Sequence, residues 1–220
     1  MPTARCLEPE AMAVRIIQIG KSRSFPEGLE AAEGAGCVVI GEAASTYPDI
    51  GAAPDEAFLA LELGTECLAE HLGLDDTPAH RRTVGFARFR LGDAEPSSLI
   101  ELVRMPWTDP GAVDAARAMF EGLGFTVALC GDFPGRIVNR LIRPYLNAVL
   151  RRLDDGLASA EDMDTTLRLG LGYPEGPNAL LTRTGLAHHF DVSKALFEAL
   201  GDPDFSPARR ARIAKARSSG

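Results

Sequence analysis

The sequence predicts an α/β half followed by an all-α half, and three observations carry that prediction. Up to about residue 130, short apolar runs rich in β-branched residues alternate with helical patterns. That alternation is the mark of a mainly parallel sheet with helices on its faces. After Gly131 the apolar spacing becomes helical and stays so. Between the two regimes, Asp132-Phe133-Pro134-Gly135 supplies a Pro-Gly turn. The boundaries follow: an α/β domain over residues 12–131, a helical domain over 132–208, and a basic tail over 209–220.

Val14-Arg15-Ile16-Ile17-Gln18-Ile19 reads as a strand ending at Gly20. Residues 28–36 are rich in Ala and Glu and are expected to form a short helix, and Cys37-Val38-Val39-Ile40 a second, buried strand. Residues 42–54 read as loop, 57–63 as a third strand and 66–72 as a short helix. Two further strands are expected over 83–89 and 99–105, separated by the turn-rich stretch 91–98. Residues 109–124 form the clearest helix of this half. Asp109-Pro110 opens it, apolar Val113, Ala116, Met119, Phe120 and Leu123 recur at helical spacing, and glycine ends it. Residues 126–130 close the half as a strand. Four helices are expected beyond, over 134–153, 159–171, 177–184 and 184–200, with Ser159 and Asp162 fitting an N-cap and an acidic first turn. The sequence has no internal repeat and no low-complexity segment.

Composition narrows the function classes. A formal net charge of −8 argues against general nucleic-acid binding, which needs a basic surface. The exception is the tail, where Arg209, Arg210, Arg212, Lys215 and Arg217 cluster as a solvated helix face or frayed end. No apolar run approaches the ~20 residues that span a bilayer, so no membrane partner is expected. Cys6, Cys37, Cys67 and Cys130 form no C-x-x-C pair, and no leader is legible, which together favour the reduced cytoplasm. His71, His80 and the pair His188-His189 have no partners at metal-ligand spacing, so no metal site is expected.

An α/β half whose first strand ends in glycine raises the question of dinucleotide binding. The fingerprint G-x-G-x-x-G places one glycine for the turn, one for backbone approach to pyrophosphate and one for helix packing. Here the turn reads Gly20-Lys21-Ser22-Arg23-Ser24-Phe25, and only the first glycine is present. Glu42, after the second strand, is placed like the acidic residue that holds a ribose diol. Gly20 and Glu42 are thus the candidates for NAD contact, in a reduced Rossmann-like sheet.

The passages after Gly131 are more specific. Asp132-Phe133-Pro134-Gly135, Ile137-Val138-Asn139-Arg140 and Pro144-Tyr145-Leu146-Asn147 are followed by Gly156-Leu157-Ala158-Ser159, Asp162-Met163-Asp164, Leu169-Gly170-Leu171-Gly172-Tyr173-Pro174 and Gly176-Pro177. This ordered set resembles the C-terminal domain of the 3-hydroxyacyl-CoA dehydrogenases, whose pattern is close to D-x-P-G-F-I-V-N-R, P-Y-x-N-E-A, G-V-A-S-x-x-D-I-D and G-x-G-x-P-x-G-P. The resemblance covers residues 131–207. It implies a helical domain of the 6-phosphogluconate-dehydrogenase-like type, NAD as cofactor and an acyl-CoA ester as substrate. It also implies a homodimer through the helical domain, or association with a full-length dehydrogenase.

The same resemblance locates an active site and finds it altered. A G-L-H-F-F-N-P segment carries the family's catalytic histidine. Its counterpart is Val84-Gly85-Phe86-Ala87-Arg88-Phe89, with Ala87 at the histidine position. The L-V-E-V-like strand that orients the histidine matches Leu99-Ile100-Glu101-Leu102-Val103, so Glu101 stands for the orienting acid. Asn139 matches the asparagine of G-F-I-V-N-R, a catalytic and substrate-binding position. Thr65, in Leu63-Gly64-Thr65-Glu66, falls near the family's S-N-T-S segment and is the second substrate-binding candidate.

Oxidising a 3-hydroxyacyl group removes a hydride and a proton, and the proton needs a base that alanine cannot supply. Losing a positioned base costs ~10²–10⁴ in rate, and neighbouring Arg88 stays protonated. A substitute imidazole would have to arrive from His71, His80, His188 or His189. The α/β half, about 115 residues between Val14 and Cys130, is also shorter than the family's nucleotide domain. The missing length is assigned to the stretch between the second strand and the S-N-T-S counterpart.

Two functions follow: a degenerate family member that binds acyl-CoA or a partner subunit without efficient hydride transfer, or an active NAD-dependent oxidoreductase. A plainer reading, in which Asn139 and Glu101 only brace the turn after Gly131, stands beside both, because a buried amide needs partners whatever its role.

Overall fold

The computed structural model describes residues 13–30, 32–42 and 51–218. Its first half is one six-stranded sheet: β1 (Arg15–Ile19), β2 (Gly36–Gly41), β3 (Phe58–Glu62), β4 (Thr83–Arg88), β5 (Leu99–Arg104) and β6 (Thr126–Gly131). The strands lie side by side in chain order. Every neighbouring pair is parallel except β4 and β5, which are antiparallel. A helix cannot cross between antiparallel neighbours as it does between parallel ones, and the stretch 91–98 makes that return as turns.

The strands alternate their side chains between two cores. Val38, Ile40, Phe58, Ala60, Val84, Phe86, Ile100 and Leu102 face one layer. Cys37, Val39, Leu59, Leu61 and Val103 face the other. Burial on both faces explains why these strands read as unbroken apolar runs. On the first face lies α2 (Pro110–Gly122), which sets Ala112, Val113, Ala116, Met119 and Phe120 against the sheet. On the second lies the short α1 (Ala69–Leu72), with Leu68 and Leu72 buried.

The helix expected over 28–36 is not formed by the described residues of that stretch. They run as coil, with Glu33 in an isolated bridge to Ala13, and β2 already begins at Gly36. Gly28 and Gly34 take φ of 90° and 137°, values a helix cannot contain. Cys6 and residues 43–50 of the expected loop lie outside the described residues.

The strand order also moves the missing length. In the dinucleotide fold the order is 3-2-1-4-5-6, with β1 flanked on both sides. Here, among the described residues, β1 pairs with β2 alone and the order never reverses. The abbreviated part therefore lies between β1 and β2, on the open side of β1, rather than after β2.

The second half packs α3 (Val138–Asp154), α4 (Ala160–Leu171), α5 (Pro177–Thr184), α6 (Leu186–Leu200) and α7 (Arg209–Ser218) around Leu146, Leu150, Leu181, Ala208 and Ala211. The family-like passages do structural work here. Ser159 Oγ accepts from Asp162 N (3.0 Å), the expected N-cap. Asp164 accepts from Asn178 N (2.9 Å) and Ala179 N (2.8 Å) and so caps α5. Asn147, fully buried, accepts from Ala208 N (3.2 Å) and donates to the carbonyls of Asp204 and Phe205. The tail is helical: α7 packs on α6, its buried Ala211 inward. Arg210 and Lys215 reach Asp154 (2.6 Å) and Asp191 (2.8 Å) from its outer face.

The turn between the halves is tied down from several sides. Asp132 takes Leu68 N (2.6 Å) and Ala69 N (2.9 Å), capping α1 across 64 positions of sequence. Gly135 has φ 74°, donates to Thr65 O (2.8 Å), and leaves no room for a side chain: a Cβ would stand 2.6 Å from Leu196 Cδ2. Glycine is required there on both counts.

Candidate functional site

Where sheet and helices meet, a cavity of about 300 Å³ collects residues from both halves. Thr65, Ala87, Glu101 and Asn139, four residues selected from sequence, all line it. Ala87 and Glu101 are direct cross-strand partners in the β4–β5 pair, so a side chain at position 87 would project beside the carboxylate.

Glu101 is nevertheless fully engaged. It is 1% exposed. Its Oε1 accepts from Ile137 N (2.9 Å) and Val138 N (2.8 Å), at the entrance to α3, where free N–H groups and the helix dipole favour an anion. Its Oε2 lies 3.6 Å from Arg136 Nε in a buried ion pair. Arg136 is held further by the carbonyls of Gly64 and Glu66 and takes φ 52°, a left-handed value unusual for a non-glycine residue. It occupies the position of phenylalanine in the G-F-I-V-N-R pattern. Two positions thus differ together: the histidine beside the carboxylate is alanine, and a guanidinium now faces that carboxylate.

Asn139 and the residues behind it answer why a helix entering the core carries an amide. Asn139, Arg143 and Asn147 follow one another at four-residue spacing on one face of α3. Arg143 Nε donates to Asn139 Oδ1 (2.9 Å), and Arg143 Nη1 lies 3.0 Å from His189 Nδ1. Arginine only donates, so His189 Nδ1 accepts and its Nε2–H donates to Asn147 Oδ1 (3.0 Å). Burial, reinforced by Arg143, lowers the His189 pKa to about 3. Burial, reinforced by Arg23, lowers Arg143 to about 10, so it stays charged at neutral pH.

No histidine lies within hydrogen-bond reach of Glu101 or Asn139 among the described residues. His189 sits behind Arg143 and is too weak a base. His80 Nδ1 meets Asp75 O (2.8 Å) and His188 Nε2 meets Asp93 Oδ2 (3.2 Å). His71 Nε2 is 3.4 Å from Glu66 Oε1 and borders a second cavity. Burial would raise the Glu66 pKa, but hydrogen bonds from His71 and backbone N–H groups bring it to about 2, and the same contact raises that of His71.

The second cavity, about 220 Å³, lies at the carboxyl ends of β1, β2 and β3 and is where a dinucleotide would be sought. Lys21, Arg23 and Glu42 line it, and Glu42 Cδ lies 3.2 Å from where a Cβ on Gly20 would stand. Gly20 and Glu42 are therefore close in space, but with the abbreviated part between β1 and β2, Glu42 does not follow the strand that carries a ribose-binding acid. The residues do not fit NAD. Glu62, 6% exposed, accepts from Ser24 N (2.6 Å) in the β1 turn and from Gly41 N (2.6 Å) at the end of β2, so its own carboxylate takes one backbone N–H group of that turn. Ser22 Oγ accepts from Phe25 N (2.8 Å), closing the turn on itself. Among the described residues the strand order does not reverse, so they form no crevice of the usual kind.

Glu62, Arg136 and Arg143 were not selected from sequence, and His189 was named only among the possible substitute bases. Arg136 was legible as a departure from the family pattern, and the polar stripe 139–143–147 as a spacing. Glu62, last residue of an otherwise apolar strand, gave a weaker sign. Nothing in the sequence placed His189 behind Arg143.

Residues 135–219 match the family described as 3-hydroxyacyl-CoA dehydrogenase, C-terminal domain. The mitochondrial hydroxyacyl-coenzyme A dehydrogenase of Sus scrofa is 38% identical over 109 residues, covering 46% of this chain and 35% of that protein. A 3-hydroxybutyryl-CoA dehydrogenase of Bradyrhizobium diazoefficiens is 34% identical over 109 residues, covering 50% and 37%. The chain thus matches about a third of the length of these relatives. Among solved structures, FadB2 of M. tuberculosis superposes with a TM-score of 0.68 at 26% identity, covering 83% of this chain and 66% of that one.

Proposed function

We propose, on the premise that this chain belongs through its helical half to the 3-hydroxyacyl-CoA dehydrogenase family, that it is a member which binds an acyl-CoA ester or a partner subunit without efficient hydride transfer. The observation that carries this reading is the pairing of Ala87 with Glu101, whose carboxylate is occupied by Arg136 and the start of α3. Proton removal from a hydroxyl needs a base poised near the working pH, and the cavity offers guanidinium groups and satisfied carboxylates instead. The β1 turn supports the same reading, because Glu62 sets a carboxylate on the Ser24 N–H, where a pyrophosphate would meet a like charge. On this reading Thr65 and Asn139 contact the acyl group, while Glu101 braces α3.

Exposed Leu141, Leu169 and Leu171 on the helical half fit a surface covered by a partner, whether a second copy or a full-length dehydrogenase. No helix among the described residues is long and apolar enough to cross a membrane. Cys37, Cys67 and Cys130 are free, and burial raises each pKa to about 11. Such unreactive thiols suit a reducing compartment such as the cytoplasm.

Purified protein supplied with NAD⁺ and 3-hydroxybutyryl-CoA should show nicotinamide reduction no faster than background, while acetoacetyl-CoA should bind by calorimetry. A second reading, NAD-dependent oxidation of 3-hydroxyacyl-CoA to 3-oxoacyl-CoA, draws on the His71–Glu66 pair at the border of the two cavities. Turnover above background that disappears in His71→Ala would replace the first reading with the second.

A further inference from the structure

The cavity beside Ala87 is more cationic than an acyl group requires. Five arginines line it against three carboxylates, Glu66, Glu101 and Asp191. Each carboxylate already has a partner: His71 for Glu66, Arg136 for Glu101 and Lys215 for Asp191. Arg143 does not. It is 2% exposed and carries its charge on two neutral groups, Asn139 Oδ1 and His189 Nδ1. Its Nη2 donates to no group among the described residues. A buried, unpaired charge costs several kcal/mol unless something compensates it. The charge that acts on it is Arg23, which lines the same cavity, has the same sign, and among the described residues is hydrogen-bonded to Arg90 O alone (3.4 Å).

The amide completes the arrangement. Because Asn139 Oδ1 faces the guanidinium of Arg143, the Asn139 amino group is turned away from it, and Nδ2 has no partner among the described residues. Two unsatisfied donors, Arg143 Nη2 and Asn139 Nδ2, thus belong to adjacent lining residues. A carboxylate offers two acceptor oxygens and one negative charge, matching these two donors and the missing charge. The cavity, about 300 Å³, is at the small end of ligand sites, ~300–1,000 Å³. We propose that it is a binding site for a small carboxylic acid, whose carboxylate is held by Arg143 and Asn139 with Arg23 lining the same cavity.

This inference does not rest on acyl-CoA binding, and calorimetry can separate the two. Malonate, malonyl-CoA, acetoacetyl-CoA and inorganic phosphate are titrated separately into the full-length protein. Malonate should bind, and malonyl-CoA more tightly than acetoacetyl-CoA if the acid arrives on a thioester. Malonate binding without any thioester binding would leave the carboxylate site standing and remove the acyl-CoA reading. Arg143→Met should weaken malonate at least about ten-fold, the loss of a charge-assisted hydrogen bond. Asn139→Asp, nearly the same shape, supplies the missing carboxylate from within; it should abolish malonate binding and raise the Tm. Absence of malonate binding to the wild type, persistence of full affinity in Asn139→Asp or a folded Arg143→Met, or equal binding of phosphate would each overturn the proposal.

Discussion

Asp164 in the helical half and Glu62 in the sheet half are both acidic residues that accept two backbone N–H groups. Asp164 uses them to start α5 in the G-x-G-x-P-x-G-P region. Glu62 uses one at the end of β2 and one in the β1 turn, where a nucleotide-binding sheet leaves N–H groups free for phosphate. The same physical device builds the fold in one half and fills a would-be ligand site in the other. The contrast extends further. Ser159, Asp164, Asn147 and Gly135 carry the family resemblance and hold helices together. Ala87, Glu101 and the Gly20 turn sit where chemistry is expected, and each is replaced or internally satisfied. A sequence signature can therefore persist because the fold needs it, independently of whether the reaction does.

Substitutions test the two halves in turn. Asn147→Ala should be the most damaging, because it leaves His189, Ala208 N and two carbonyls without partners in a dry interior. The expected loss is about 4 kcal/mol by denaturant titration; a loss under ~1 kcal/mol would show that the stripe on α3 does not support the helical half. Next comes pH. His189 is held near pKa 3 in the folded state, below its unfolded value of about 6.5. The unfolded chain therefore binds the extra proton between those values. Stability is fully present above about pH 6.5, falls as the pH drops, and levels off below about 3. The wild type should lose roughly 2 kcal/mol between pH 7 and pH 5 from this residue, and His189→Gln should lose that part of the slope. Asp164→Ala should cost about 1–2 kcal/mol as a lost cap, read as a shift in the denaturant midpoint. In the sheet half, Glu101→Gln keeps one acceptor oxygen for the start of α3 but leaves the buried Arg136 without its counter-charge, so it should cost about 3 kcal/mol while leaving acetoacetyl-CoA affinity unchanged. A large drop in affinity would return Glu101 to a role at the ligand.

Legibility followed the same division. The change of apolar period at Gly131, the order of strands and helices, and the Ser159 cap depend on local spacing, and all appear in the structure. The helix expected over 28–36 failed because its Ala/Glu-rich composition is overruled by glycines at positive φ. The site was legible as a set of positions, since Thr65, Ala87, Glu101 and Asn139 do converge. Its electrostatics were not. Arg136 and Arg143 matter through what they face, the first across 35 residues to Glu101 and the second across 46 to His189, and no local pattern encodes such a distance. Glu62 is the clearest case: as a letter it is the last residue of an apolar strand, and only the fold turns it into an occupant of the β1 turn.

The β1 turn decides whether the sheet half holds a dinucleotide. Titrating NAD⁺ into the full-length protein and recording the heat of binding tests it without depending on a substrate. No saturable binding is expected up to millimolar NAD⁺, because the carboxylate of Glu62 already occupies the Ser24 N–H at the turn. Saturable binding with a Kd in the micromolar range would contradict it.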